Sequence, residues 1–382
     1  MRIAVPTEHD ADERRVALVP EVVRKLSGRG LEVAIERGAG ERALISDAAF
    51  EEAGAVMIDG AEVWKSDAVV TIAPPKPEQI SSMNEGALLV GFLAPLTSAP
   101  TAAAAREAKV TAFAMEAVPR ISRAQAIDAL SSQSNVAGYE AVILAAEELT
   151  RFFPMLMTAA GTIPPAKVLV LGAGVAGLQA LATARRLGAV VTGYDVRPEV
   201  AEQVESLGAS FLDLGIEASG EGGYARELSD EERAAQQQAL NDAITGFDVV
   251  ITTALVPGRP APKLISAAAV EGMRAGSVIV DLAGESGGNC ELTVAGEKTI
   301  IHGVTILSPL NLPAQMPEHS SQLYARNVLA LLDLMINEGE DGVATTLEPD
   351  FEDEIISGAC IAKSGEIVHP GAKAAVEGAA GA

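Results

Sequence analysis

Cysteine is nearly absent from this chain. Its 382 residues include two, Cys290 and Cys360, which form no CxxC pair. That spacing supports neither a disulfide framework nor a thiol redox motif, so both are expected as small buried residues in a reducing compartment. Histidine is scarce too. His9, His302, His319 and His369 show no HExxH or other ligand spacing, and no metal site is expected. Positive charge is short: 28 Lys and Arg stand against 52 Asp and Glu, a formal net charge of −24. This argues against nucleic acid as a partner and against direct docking on an anionic membrane. No apolar stretch reaches the ~18 residues needed to span a bilayer. The longest, Val328 to Ile336, is broken by Asp333. The opening MRIAVPTE enters a strand-like run rather than a secretory leader. A cytoplasmic protein is therefore expected.

What is present is apolar and small. Hydrophobic residues make up 48% of the chain, but aromatics only 3%, a composition suited to helices packed closely on parallel sheets. The length allows two domains of ordinary size. Short apolar runs alternate with helical stretches toward the N-terminus. Ile3 to Pro6, Glu32 to Glu36, Ala68 to Ile72 and Ala87 to Gly91 read as strands; Pro20 to Arg29 and Ile45 to Ala53 read as helices. GAGERA, Gly38 to Ala43, reads as a plain turn. Asn135 to Phe153 reads as one long helix stopped by Pro154, and His319 to Asn337 as a second that crosses back. Between them, Phe211 to Leu214, Val249 to Ala254, Ser277 to Asp281 and Val304 to Leu307 read as later strands. The expected architecture is α/β: two Rossmann-like domains, each a mostly parallel sheet flanked by helices, joined by two long crossing helices. Residues 1–138 with 314–382 would form the first domain and 139–313 the second. Ile355 to His369 reads as a hairpin around KSG, and the Ala/Gly-rich tail from Gly371 is expected to be disordered.

The most informative stretch is KVLVLGAGVAGLQALATARRLGAVVTGYDVR, Lys167 to Arg197. It reads as strand, glycine turn, helix, strand, acid. Gly172 permits the tight turn, Gly174 lets the backbone approach a pyrophosphate, and Gly177 allows close helix packing. The helix N-terminus offers free N–H groups to phosphates. Asp195 follows Gly172 by 23 positions, near the ~20 expected of an acid that binds a ribose 2′-hydroxyl. Its carboxylate favours NAD over NADP; Arg197, two residues on, is the type of residue that can hold a 2′-phosphate and is read here as an adenine-side or surface residue.

Two other segments are polar where a fold would not require it. Pro119 to Tyr139 carries Arg120, Arg123, Gln125, Asp128, Ser131, Ser132 and Ser134 just before the first crossing helix, a place expected to border an interdomain cleft. The plainer reading is a surface loop with helix caps. Gly215 to Leu228 is long, glycine-rich and contains a single aromatic, Tyr224; loops of such length are usually functional or disordered.

RISRAQAIDALSSQSNVAGY, Arg120 to Tyr139, resembles the signature loop of the NAD(H)-binding component, domain I, of proton-translocating NAD(P) transhydrogenase. The glycine turn, YDVR, GGYA, ITTALVPGRPAP (Ile251 to Pro262), VDLAGESGGN (Val280 to Asn289) and GACIAKSGEIVHP match the same family, from Arg2 to Pro370. The resemblance implies that Arg120, Gln125 and Asp128 form the hydride-transfer site, with Ile121, Ser122, Arg123 and Ser131 beside them at the nicotinamide end of NAD(H). It implies that Gly172, Gly174, Val175, Gly177, Asp195, Val196 and Arg197 line the rest of the nucleotide. Gly223 and Tyr224 would belong to a loop that closes over it, and Leu255 would lie near the cofactor. It also implies a homodimer and two partners, one binding NADP(H) and one spanning the membrane, which would hold this chain at the inner membrane. With no apolar span after Pro370, both partners are expected on other chains.

The sister family is alanine dehydrogenase, whose substrate-site types recur at Arg15 and Lys76. Its acid–base histidine would fall within Gly91 to Ser98, which contains none, and its catalytic aspartate would fall at Glu285. Amine oxidation needs a proton acceptor; hydride transfer between two nicotinamides does not.

Overall fold

The computed structural model describes residues 1–214, 229–256, 258–339 and 344–380. In chain order the strands are β1 (Arg2–Val5), β2 (Glu32–Glu36), β3 (Val56–Ile58), β4 (Ala68–Val70), β5 (Leu88–Gly91), β6 (Thr111–Ala114), β7 (Leu156–Thr158), β8 (Gly161–Ile163), β9 (Lys167–Leu171) and β10 (Val190–Tyr194). They continue as β11 (Ser210–Phe211), β12 (Val249–Thr252), β13 (Val278–Asp281), β14 (Lys298–Ile301), β15 (Val304–Leu307), β16 (Ile336–Glu338), β17 (Ala344–Leu347), β18 (Cys360–Lys363) and β19 (Glu366–Ile367).

The chain divides into two compact units, Met1–Gln133 with Pro313–Ala382, and Ser134–Leu312. In the first, the described residues form a sheet in the order β19-β18-β6-β5-β4-β1-β2-β3. β6 through β3 run parallel; β18 and β19 add antiparallel at one edge. In the second, the order is β11-β10-β9-β12-β13-β15-β14, parallel except for β14. Strand order reverses between β1 and β4 in one sheet and between β9 and β12 in the other. The mostly parallel α/β plan is thus as the sequence implies.

Apolar runs become strands here because helices cover both sheet faces. Ile3 and Val5 of β1 enter one core while Ala4 enters another. Val168 and Val170 of β9 enter one core while Leu169 and Leu171 enter the opposite one. A strand buried on both sides needs an unbroken apolar run, not an alternating one.

Several expectations need correction. The first long helix is Ala129–Glu148, not 135–153. It starts earlier because the Asp128 carboxylate accepts from the Ser131 N–H at 2.8 Å and so caps it. It stops earlier because Leu149 and Phe153 are buried outside helical geometry. The second helix, Pro317–Asp333, opens on proline and ends before β16, which pairs with β17. Ile355 lies in a short helix, Glu354–Ala359, and the hairpin is confined to β18 and β19. The tail is ordered: Pro370–Ala380 is a helix. His369 Nδ1 accepts from the Ala372 N–H at 3.2 Å, and Ala372 is fully buried. Composition alone misread this segment because alanine serves a packed helix as well as a loose tail. β14, an antiparallel edge strand, and the exposed hairpin β7–β8 have no strand-like pattern in the sequence.

Candidate functional site

The glycine turn sits at the C-terminal end of β9, where strand order reverses and open α/β sheets hold ligands. Gly172 has φ of +100°, a left-handed conformation that other residues rarely adopt. A Cβ there would lie 2.6 Å from Thr253 Oγ1. A Cβ at Gly177 would lie 1.8 Å from the Gly172 carbonyl oxygen, so the helix meets the turn as closely as backbone allows. Gly174 differs: a Cβ there would meet nothing within 4 Å. Its side of the turn is open. The helix that follows, Val175–Arg186, has no side-chain cap on its first turn, which leaves backbone donors and the positive dipole end available to an anion.

Asp195 closes the turn from the next strand. Its Oδ2 accepts from the Ala173 N–H at 2.8 Å. Arg197 folds back onto the same carboxylate, its N–H and Nε reaching Oδ1 and its Nη2 reaching Oδ2, each at 3.0 Å. Burial opposes the charge on Asp195, but Arg197 and the Ala173 N–H outweigh it and hold the carboxyl below its usual range. The guanidinium side chain remains half exposed. Val175, Val196 and Leu255 are exposed apolar residues. On the β12 side, Thr253 Oγ1 donates to the Gly172 carbonyl at 2.9 Å. The structure therefore brings Gly172, Gly174, Val175, Gly177, Asp195, Val196, Arg197 and Leu255 to one edge of a single sheet.

The polar loop belongs to the other unit. Ser122–Ile127 forms a 3-10 helix seated on buried Ala124 and Ile127, with the Asn327 amide donating to the Ala126 carbonyl at 2.8 Å. Asp128 Oδ2 accepts from Ser131 Oγ at 2.6 Å, so this pair carries the helix cap. Arg123 forms a forked pair with Asp353 at 2.6 and 2.9 Å. Arg120, Ile121, Ser122 and Gln125 complete the segment; Arg120 and Gln125 are exposed and make no side-chain hydrogen bond among the described residues. Gly223 and Tyr224 lie outside the described residues. In the second unit, a Cβ at Gly138 would lie 2.1 Å from the Ala176 carbonyl oxygen, so the helix Ala129–Glu148 and the nucleotide-type helix touch backbone to backbone.

The positions shared with alanine dehydrogenase are engaged internally. Arg15 is buried and donates to Glu13 at 2.6 and 2.8 Å and to Gln133 at 2.7 Å. Lys76 is exposed. Where an acid–base histidine would stand, the Leu93 and Ala94 N–H groups donate to the buried Glu116 carboxylate. Sequence reasoning passed over this carboxylate and another, Glu8, whose oxygens accept from Ile72 and Ala73 at 2.6 and 3.1 Å. Burial pushes the Glu8 carboxyl up to about 7 despite those donors. Neither residue sits in a motif; only their positions just past β1 and β6 mark them. A surface cavity of about 280 Å³, lined by Arg151, Phe247, Asp248 and Arg274 among others, opens at the opposite edge of the second unit's sheet from the glycine turn. Among the described residues no group of His, Cys, Asp and Glu could hold a metal ion, and no helix is long and apolar enough to cross a membrane.

A parallel α/β sheet with an open glycine turn, an uncapped helix and an acid at the next strand end defines a dinucleotide-binding type of protein. The family models narrow the class. Residues 4–137 match "Alanine dehydrogenase/PNT, N-terminal domain" and residues 141–370 match "Alanine dehydrogenase/PNT, C-terminal domain". The chain belongs to the alanine dehydrogenase/PNT family. It is 48% identical to the first of the polypeptides that make up the NAD(P) transhydrogenase alpha subunit of Rhodospirillum rubrum, covering 97% of this chain and 98% of that one. The crystal structure of a transhydrogenase from Sinorhizobium meliloti matches with a TM-score of 0.86 at 42% identity, over 96% of this chain and 100% of that one. An L-alanine dehydrogenase structure matches with a TM-score of 0.80 at 28% identity, over 99% of each chain.

Proposed function

We propose that this chain is the NAD(H)-binding subunit of a proton-translocating transhydrogenase. It presents NADH for hydride transfer to NADP+ held by a partner subunit, and a membrane-spanning subunit couples that transfer to proton movement. The observation that carries the reading is full-length similarity to the first alpha-subunit polypeptide of a transhydrogenase. A Gly91–Ser98 segment without histidine, its backbone donors closed by Glu116, supports it.

The residues fit the nucleotide. The open side of Gly174 and the uncapped helix would take the pyrophosphate, and Asp195 the adenosine ribose, with Val175, Val196 and Arg197 around it and Gly172 and Gly177 shaping the turn. Arg120, Gln125 and Asp128 would set the nicotinamide, flanked by Ile121, Ser122, Arg123 and Ser131. Leu255 would pack on the cofactor, and Gly223 and Tyr224 would cover it. NAD(H) supplies the hydride chemistry when bound. The chain's task is orientation: transfer between two nicotinamides needs reacting carbons held ~3–3.5 Å apart and no protein base. Asp128 suits that task because its cap bonds to Ser131 fix its own position. The protein acts as a homodimer in the cytoplasm, held to the inner membrane through its partners.

Arg15, Lys76 and the likeness to L-alanine dehydrogenase favour the second reading, an amino-acid dehydrogenase. The test offers the chain alone NAD+ and L-alanine and follows NADH absorbance. No sustained NADH formation is expected; robust alanine-dependent formation would overturn the transhydrogenase reading.

A further inference from the structure

Leu255 can serve a nucleotide only if its backbone is fixed, and β12 stops short of it. The last ladder bond on the β9 side is the Thr253 N–H to the Leu171 carbonyl at 2.9 Å. Ala254 then leaves the sheet with a donor and an acceptor to satisfy. Both are taken by one side chain. Asn289, fully buried, accepts from the Ala254 N–H through Oδ1 at 3.1 Å and donates from Nδ2 to the Ala254 carbonyl at 2.9 Å. The second Nδ2 proton goes to the Pro262 carbonyl at 2.8 Å. One amide thus substitutes for a missing strand at Ala254 and also holds Pro262.

The turn that carries Asn289 is itself held. Asp281, at the end of β13 and fully buried, accepts from the Cys290 N–H at 3.0 Å and from Thr293 Oγ1 at 2.6 Å. Gly288 has φ of +79°, and a Cβ there would lie 2.8 Å from Asp281 Oδ2, so glycine is required. The Asn289 carbonyl accepts from the Leu264 and Ile265 N–H groups at 2.7 and 3.0 Å. On the far side, Thr253 carries the connection to the Gly172 carbonyl. The path runs Asp281, Asn289, Ala254, Thr253, Gly172, and ends on the glycine turn with Leu255 exposed beside it.

We infer that Asn289 is a positioning residue for NAD(H): it fixes the Ala254–Leu255 backbone so that Leu255 and the glycine turn are held ready for the nucleotide. The inference rests on the nucleotide reading above. An amide is needed because only it offers two donors and an acceptor in that plane. Asn289→Ser keeps one polar contact at most. Asn289→Asp keeps the acceptor but sets a carboxylate oxygen against the Ala254 and Pro262 carbonyls.

The experiment measures NADH dissociation constants for the full chain, the two Asn289 variants, Leu255→Ala and the Asn289→Ser/Leu255→Ala double variant. Folding is checked by circular dichroism at the same temperature, with Val304→Ala in a core strand as a control for destabilisation. Both Asn289 variants should stay folded and bind NADH roughly tenfold more weakly or worse, as loss of buried polar pairing implies. Val304→Ala should bind like the unmodified chain. The Leu255→Ala penalty should shrink in the Asn289→Ser background, because contacting residues couple. Unchanged dissociation constants, additive effects, or unfolding of both Asn289 variants while Val304→Ala stays folded would each overturn the positioning role. Absence of NADH binding by the unmodified chain would overturn the functional reading, and this inference with it.

Discussion

Asp195→Ala tests cofactor choice at a position where four hydrogen bonds converge on one carboxylate. Ribose hydroxyls that donate to that carboxylate make charge-assisted bonds worth about 1.5–3 kcal/mol. At about 1.4 kcal/mol per factor of ten, removing them should weaken NADH binding by roughly 10- to 100-fold. NADPH should respond in the opposite sense. The carboxylate repels a 2′-phosphate, and its removal also releases the Arg197 guanidinium, which is half exposed and within reach of an anion. An exposed ion pair is worth at most about 1 kcal/mol, so with the repulsion gone NADPH should gain about tenfold or more. The preference for NADH should narrow or reverse. The variant also leaves the buried Ala173 N–H unpaired. Asn at this position keeps one acceptor for it, so Asp195→Asn separates the loss of charge from the orphaned donor. Calorimetric titration of both cofactors into all three proteins supplies the numbers. Equal affinity of the unmodified chain for NADH and NADPH, or unchanged NADH affinity in Asp195→Ala, would refute the reasoning.

Gln125→Asn should leave the NADH dissociation constant nearly unchanged and slow hydride transfer to the partner's NADP+ by up to about 10²-fold, the cost of a misplacement of about 1 Å. A single-turnover rate equal to that of the unmodified chain would mean that the loop does not position the nicotinamide. The Glu8 carboxyl titrates near 7 in the fold against 4.5 ordinarily, so the folded state favours its protonated form. Its contribution to stability is fully present below pH ~4.5 and is lost as pH rises through 7. From pH 5 to 8 the unmodified chain should therefore lose stability relative to Glu8→Gln by an amount of order 3 kcal/mol, read from urea unfolding midpoints; parallel pH profiles would contradict it.

Strands were legible where physics left one option. β2 matches its expected bounds residue for residue, and β9 and β13 are nearly as close, because a strand buried on both faces must be continuously apolar. The glycine turn was legible because the φ of Gly172 and the close approach at Gly177 exclude any side chain. Helix ends were misjudged where tertiary bonding decides them. Asp128 was legible as a polar loop residue, but its cap to Ser131 moves the helix start to Ala129. The tail helix was hidden because its stability comes from Ala372 against the core and from His369 at its start. Glu8, Glu116, Thr253 and Asn289 carried no local signal, since each acts on backbone groups distant in sequence.

The central claim is that this chain presents NADH to a nicotinamide bound elsewhere. The most direct measurement mixes the unmodified chain, saturated with NADH, with an NADP(H)-binding transhydrogenase component loaded with NADP+, and follows hydride transfer in a single turnover with stereospecifically deuterated NADH. The account predicts a fast phase that transfers the label to NADPH, needs both proteins, and is slowed in Gln125→Asn. Absence of label in NADPH, with both proteins folded and both nucleotides bound, would contradict it.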